Sequence, residues 1–144
     1  MASIAATANP SGSPPSEPIE VSFPLPRAPQ TNIHLQLRNN GPNILLFLTT
    51  ASPDAPTTAP LGSFVYAMPN KVSPSDAFST ALFPQSSTLD FTTRLAKLLA
   101  RKLGKPVYVG NSMSFANAGM GGTVEEEMEG FRRVVEAVMK LVQP

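Results

Sequence analysis

Ile44-Leu45-Leu46-Phe47-Leu48 and Phe64-Val65-Tyr66-Ala67-Met68 are the stretches whose reading decides the fold. A strand with one wet face alternates apolar and polar side chains, because successive residues point to opposite sides of the sheet. Neither stretch alternates, so both faces of the sheet they enter need cover. Working outward, Asn32 to Arg38 does alternate: Ile33, Leu35 and Leu37 face one way, His34, Gln36 and Arg38 the other. Between this segment and Asn43–Thr50 lies Asn39-Asn40-Gly41-Pro42, where Gly41 is free to take a positive φ and Pro42 ends a ladder. The two segments therefore read as a hairpin.

Further out, Glu20–Phe23 reads as a first strand, with Pro24, Pro26 and Pro29 fixing its end or confining it to a sheet edge. Ala51–Pro60 is a loop of Pro, Thr, Ser and Ala; Pro69 and Asn70 close the Phe64–Met68 strand, and a weaker strand spans Ser79–Phe83 before Pro84. The character changes after Ser86. Phe91, Leu95, Leu98, Leu99 and Leu103 recur at helical spacing. Thr88 is the expected N-cap, with Asp90 in the first turn, Arg101 and Lys102 in the last, Gly104 just past the end and Pro106 barring continuation. Val107–Val109 follows as a buried strand. Thr123 and Glu126 form a T-x-x-E capping box for a second helix with a stripe of Met128, Phe131, Val135, Val138 and Val142. Glutamates 125, 126, 127 and 129 complement the dipole at its start.

The pattern defines an α+β fold: a single domain with a mostly antiparallel sheet of about six strands followed by helix, strand and helix. Two helices leave two arrangements open. If each covers one face, the chain is a self-contained three-layer monomer. If both lie on one face, the other is an apolar surface that a partner must bury. A strand–helix–strand–helix path commonly leaves both helices on the same side. The expected arrangement thus has two helices on one face and the second face used for dimerisation, with Phe47, Phe64 and Tyr66 as its anchors.

Composition narrows the function. The chain has 144 residues, 42% of them apolar, which suits one domain with a real core. Sixteen prolines are roughly twice the usual share of about 5%, and eleven precede residue 61. Residues 1–18, rich in Ala, Ser and Pro, read as a disordered tail, with the α+β domain at 19–144. That start has neither a basic residue nor a sustained apolar stretch, so it reads as no signal peptide. The longest apolar run, Ile44–Leu48, is far short of the roughly 20 residues a spanning helix needs, so no membrane is expected as a partner. The absence of cysteine removes disulfides, thiolate metal sites and cysteine nucleophiles, and fits a reducing compartment, the cytoplasm or also the nucleus.

No enzyme emerges from these residues. The single histidine, His34, sits on the polar side of a strand and makes multi-histidine metal sites impossible. Asp54, Asp76 and Asp90 fall where turn and cap roles explain them. Gly119-Met120-Gly121-Gly122 precedes a helix but lacks the Lys-Ser/Thr of a phosphate-binding loop. No catalytic set, cofactor or metal site is expected. The basic stretch Arg94, Lys97, Arg101, Lys102 and Lys105 holds more information, because it contains no acidic residue and Arg94, Lys97 and Arg101 share one helix side. It reads as a solubilising face or as a contact for an acidic protein surface. A nucleic-acid-binding α+β module using the basic face of helix 88–103 is the alternative; the net charge of +1 and the lack of stacking aromatics beside the stripe weigh against it.

Leu95-Ala96-x-x-Leu99-Ala100-Arg101-Lys102-x-x-Lys105-x-Val107-Tyr108-Val109 resembles the helix-into-strand segment of the proteasome assembly chaperone 4 family. Glu125-Glu126-Glu127-Met128-Glu129 followed by Phe131 is similar to that family's acidic C-terminal pattern. The hairpin around Ile33–Thr49 and the strand ending Ala67-Met68 fall in the family's order. The resemblance runs from about Ile33 onward; the Pro-rich tail, the enlarged Ala51–Pro60 loop and the longer final helix depart from it. It implies a non-catalytic chaperone that pairs with proteasome assembly chaperone 3 as a heterodimer. It further implies help in forming the α-subunit ring of the 20S proteasome, through α-type subunits and the fifth in particular. On that basis the apolar sheet face would meet the constant partner, and Arg94, Lys97, Arg101 and Lys102 the transient client.

Overall fold

A computed structural model describes residues 17–25, 28–51, 61–114 and 124–142. Six strands and two helices follow in the order β1 (Ile19–Leu25), β2 (Ala28–Asn39), β3 (Ile44–Ala51), β4 (Ser63–Pro69), β5 (Ala77–Phe83), α1 (Ser86–Leu103), β6 (Val107–Asn111) and α2 (Val124–Val142). They form one sheet in the order β1-β2-β3-β6-β4-β5. Every neighbouring pair is antiparallel except β3 with β6, which run parallel. The last strand thus inserts at the centre of the sheet, between two strands that precede it in the chain. Its short apolar run suits that position, since Val107 and Val109 are fully buried.

The hairpin of β2 and β3 has the expected partners, with Leu35 opposite Leu48 and Leu37 opposite Leu46. Gly41 takes φ +88° in the turn, and its carbonyl accepts a 2.9 Å hydrogen bond from Lys105 Nζ. That bond ties the turn to the connection between α1 and β6. The strands β1, β2 and β5 extend beyond the expected limits, β1 tolerating Pro24 because it lies at the edge.

Both helices pack on the same face. α1 lies over β4, β5 and β6, while α2 touches β2 and α1. Beneath them Ile33, Leu35, Leu37, Ile44, Leu46, Val65, Val107 and Val109 form the core, closed from above by Leu95, Leu99, Val134 and Val138. An edge-to-face contact between Phe91 and Phe131, 5.3 Å between centroids, joins the two helices.

Three local expectations are corrected. α1 begins at Ser86 with Gln85 as N-cap, so Thr88 is not the cap and Asp90 is outside the first turn. Gln85 makes no side-chain capping bond; Ser63 Oγ on β4 instead holds that residue in place, accepting from the Gln85 backbone N–H at 2.9 Å and donating to its carbonyl at 3.0 Å. Thr88 faces the same strand and donates to Ser63 Oγ at 2.8 Å. Second, small and polar residues complete the buried side of α1, where Thr92, Ala96 and Ala100 lie with Leu95 and Leu99, while Leu98 and Leu103 are only half-buried. Thr92 Oγ1 accepts from Asn111 Nδ2 at 3.1 Å, and Asn111 Oδ1 accepts from the Met113 N–H at 2.9 Å, so these buried polar groups are mutually satisfied. Third, Met128 of the expected α2 stripe is 59% exposed, whereas Val138 is buried and Phe131, Val135 and Val142 pack partly buried against the core, with Glu126, Gly130 and Val134 buried beside them. The C-terminal end of α1 is as expected, with Gly104 at φ +67° and its N–H bonded to the Ala100 carbonyl.

Most of the proposed tail (residues 1–16), most of the Ala51–Pro60 loop, the Gly119–Gly122 run and Thr123 of the capping box lie outside the described residues.

Candidate functional site

The helix-free face of the sheet is where the second side of each apolar strand emerges. On β3, Leu45 and Phe47 alternate with the buried Ile44, Leu46 and Leu48. On β4, Phe64, Tyr66 and Met68 alternate with Ser63, Val65 and Ala67. On β6, Tyr108 and Gly110 lie on this side. Because β6 separates β3 from β4, their backbones stand about 9.6 Å apart, twice the usual strand spacing. Nevertheless Phe47 and Phe64 stack with centroids 6.0 Å apart and planes 7° from parallel.

Gly110 makes this possible. It stands opposite Phe47 on one side and Phe64 on the other, and a Cβ there would come within 2.6 Å of Phe47 Cδ1. The missing side chain is the space into which the rings lean. Phe64 also stacks on Tyr108 at 6.1 Å, and Tyr108 meets its cross-strand neighbour Tyr66 at 4.7 Å. A continuous aromatic band results, each ring half-buried by the others. It extends to β5, where Phe78, opposite Met68, is 58% exposed and Phe83, opposite Phe64, 55%. Toward β1 and β2 the face turns polar. Glu20, Ser22, His34, Gln36, Phe47 and Thr49 help line a shallow groove of about 700 Å³, within which Gln36 Nε2 donates to Glu20 Oε2 at 3.2 Å. His34 is exposed on this polar side, as its place in the alternation implied. Among the described residues no helix covers this face.

Phe47, Phe64 and Tyr66 are thus brought together on one surface, while the cations lie on the other side of the molecule. Arg94 is exposed and paired with Asp90 one turn earlier, Nε to Oδ2 at 3.2 Å. Lys97 is half-buried, Arg101 donates from a guanidinium nitrogen to the Ser75 carbonyl at 3.1 Å, and Lys102 is exposed. With α1 on one face of the sheet and the rings on the other, the α1 cations and the stacking groups do not share a surface of the kind single-stranded nucleic acids use; on the rings' own face, Arg38 lines a small pocket with Gln36, Leu45 and Phe47. Sequence reasoning missed Tyr108, read only as part of a buried strand, and missed Gly110. Strand alternation alone marks Tyr108, since Val107 and Val109 flank it; the role of Gly110 requires the strand order.

Among the described residues no three His, Asp or Glu side chains gather as a metal site, and no helix is long and apolar enough to cross a membrane. What the fold does present is a broad aromatic sheet face opposite a two-helix layer. The family model for proteasome assembly chaperone 4 matches residues 32–113, more than half of the chain. The chain belongs to the proteasome assembly chaperone 4 family, and a role as a chaperone in proteasome assembly follows from that membership. Its fold is similar to a chain in the crystal structure of a novel chaperone complex for yeast 20S proteasome assembly. The TM-score is 0.60 at 12% identity over 90% of this chain and 97% of that one. No curated protein matches the chain significantly.

Proposed function

We propose that this chain is one half of a heterodimer with proteasome assembly chaperone 3, and that the pair assists formation of the α-subunit ring of the 20S proteasome. The observation that carries the reading is the aromatic band. Four rings in contact and the flanking Met68, Phe78 and Phe83 form an apolar surface on a sheet whose two helices both lie on the opposite face. Aromatic side chains supply large contact area at small entropic cost, which is why they anchor interfaces. Phe47, Phe64 and Tyr66 bind the constant partner. Arg94, Lys97, Arg101 and Lys102 face the transient client, an α-type subunit and the fifth in particular. The protein acts non-catalytically, in the cytoplasm and also the nucleus.

Co-expression with proteasome assembly chaperone 3 followed by size-exclusion chromatography tests the pairing. A stable 1:1 complex is expected, and two separate peaks at micromolar concentration would exclude it. Reversal of Arg94, Lys97 and Arg101 to glutamate tests the client half. Capture of the α subunit should fall while the heterodimer persists; undiminished capture removes that assignment.

A further inference from the structure

The two edges of the sheet are built differently. At one edge, β1 carries Glu20 and Pro24, devices by which proteins keep foreign strands from pairing. At the other edge, β5 reads Ala77-Phe78-Ser79-Thr80-Ala81-Leu82-Phe83, with no charge and no proline inside it; both edge pairs carry a register shift, β1–β2 at Pro24/Leu25 and β4–β5 at Phe64/Val65. Six of its seven residues are exposed, Phe78, Leu82 and Phe83 each by more than half. Among the described residues β4 is its one neighbour, so its far side presents unpaired backbone N–H and C=O groups.

The surroundings specify what would pair there. On the aromatic side of the sheet, Phe78 opposite Met68, Thr80 opposite Tyr66 and Phe83 opposite Phe64 would lie beside residues of an added strand. On the helix side the β5 residues Ser79 and Ala81 are small and exposed. α1 packs on β5; with Phe91 turned toward α2, the opposite flank of the helix, which carries Thr93 and Lys97, is turned toward β5. Lys97 is half-buried there, and Arg101 reaches the Ser75 carbonyl, two residues before β5 begins. A second copy of this chain fits poorly, because antiparallel pairing of two β5 edges would bring Lys97 and Arg101 of each copy toward those of the other.

We propose that the free edge of β5 binds an extended segment of a partner protein in which apolar residues, set beside Phe78 and Phe83, alternate with acidic residues set beneath Lys97 and Arg101. Main-chain hydrogen bonds supply affinity in such strand addition, and the alternate side chains supply specificity. This binding is independent of the aromatic pairing, and its test needs no other protein.

The probe is an N-acetylated heptapeptide alternating valine and glutamate, compared with its valine–lysine counterpart, titrated into the isotopically labelled full chain. Amide shifts and slowed exchange are expected at alternate residues of Ala77–Phe83, with the glutamate peptide bound about fivefold more tightly, as two exposed ion pairs allow. The double variant Lys97→Glu/Arg101→Glu should reverse that preference. Should that variant fold poorly, raising the ionic strength on the natural chain should erase the preference while leaving β5 protection in place. Unchanged β5 amides, equal affinity for both peptides, or a free chain that already protects this edge by self-association would each overturn the proposal.

Discussion

The strand β3 is apolar on both sides, and its two sides have opposite fates. Toward the helices, Ile44, Leu46 and Leu48 are buried under α1 and α2 with the rest of the core. Away from them, Phe47 leans over Gly110 onto Phe64 and remains half-buried. Local sequence does not separate these roles, because leucine and phenylalanine gain by leaving water wherever cover is offered. The number of helices does separate them. Two amphipathic helices on one side cover one face, and among the described residues no helix covers the other; under the proposed function the same apolar pattern serves folding on one side and association on the other.

The sharpest contrast should come from truncating one residue on each side. Leu46→Ala removes a fully buried side chain and should cost about 2–5 kcal/mol of folding stability in urea denaturation. Phe64→Ala should cost the isolated chain less than that. Its main effect should be on affinity for proteasome assembly chaperone 3, a loss of about 2 kcal/mol or more, near thirtyfold, by calorimetric titration. If the two variants behave alike in both assays, the division between core and interface is wrong.

Gly110→Ala sharpens the comparison within the aromatic face. The added methyl falls on Phe47, so the ring must move off Phe64. Overpacking of this kind costs about 1–3 kcal/mol, read as a lowered denaturation midpoint, and partner affinity should fall as the band loses its stacked geometry. The smallest change is expected on the helix layer. Arg94→Ala breaks an exposed pair with Asp90 and should shift stability by no more than about 0.5 kcal/mol in thermal unfolding.

Much of this architecture is legible in the residues themselves. The β2–β3 hairpin, the C-terminal stop at Gly104 and the shared side of both helices follow from alternation, turn chemistry and chain path. What was not legible depends on contacts between elements distant in the chain. The start of α1 lies ahead of Thr88, where Ser63 on β4, distant in the chain, holds Gln85 at both its N–H and its carbonyl. The α2 stripe departs from the sequence pattern only near its start, where Met128 is exposed and Gly130, with no side chain to score as hydrophobic, is buried. In the aromatic face, Phe47, Phe64 and Tyr66 stand out in unalternating strands. Tyr108 and Gly110 join them only once β6 is known to lie between β3 and β4.

Side-chain labelling by hydroxyl radicals, performed on the chain alone and in complex with proteasome assembly chaperone 3, tests the use of this face most directly. Phe47, Phe64, Tyr66 and Tyr108 should lose reactivity on complex formation, while Met128, exposed on α2, should stay unchanged. An intact complex in which the four rings label as readily as in the free chain would contradict it.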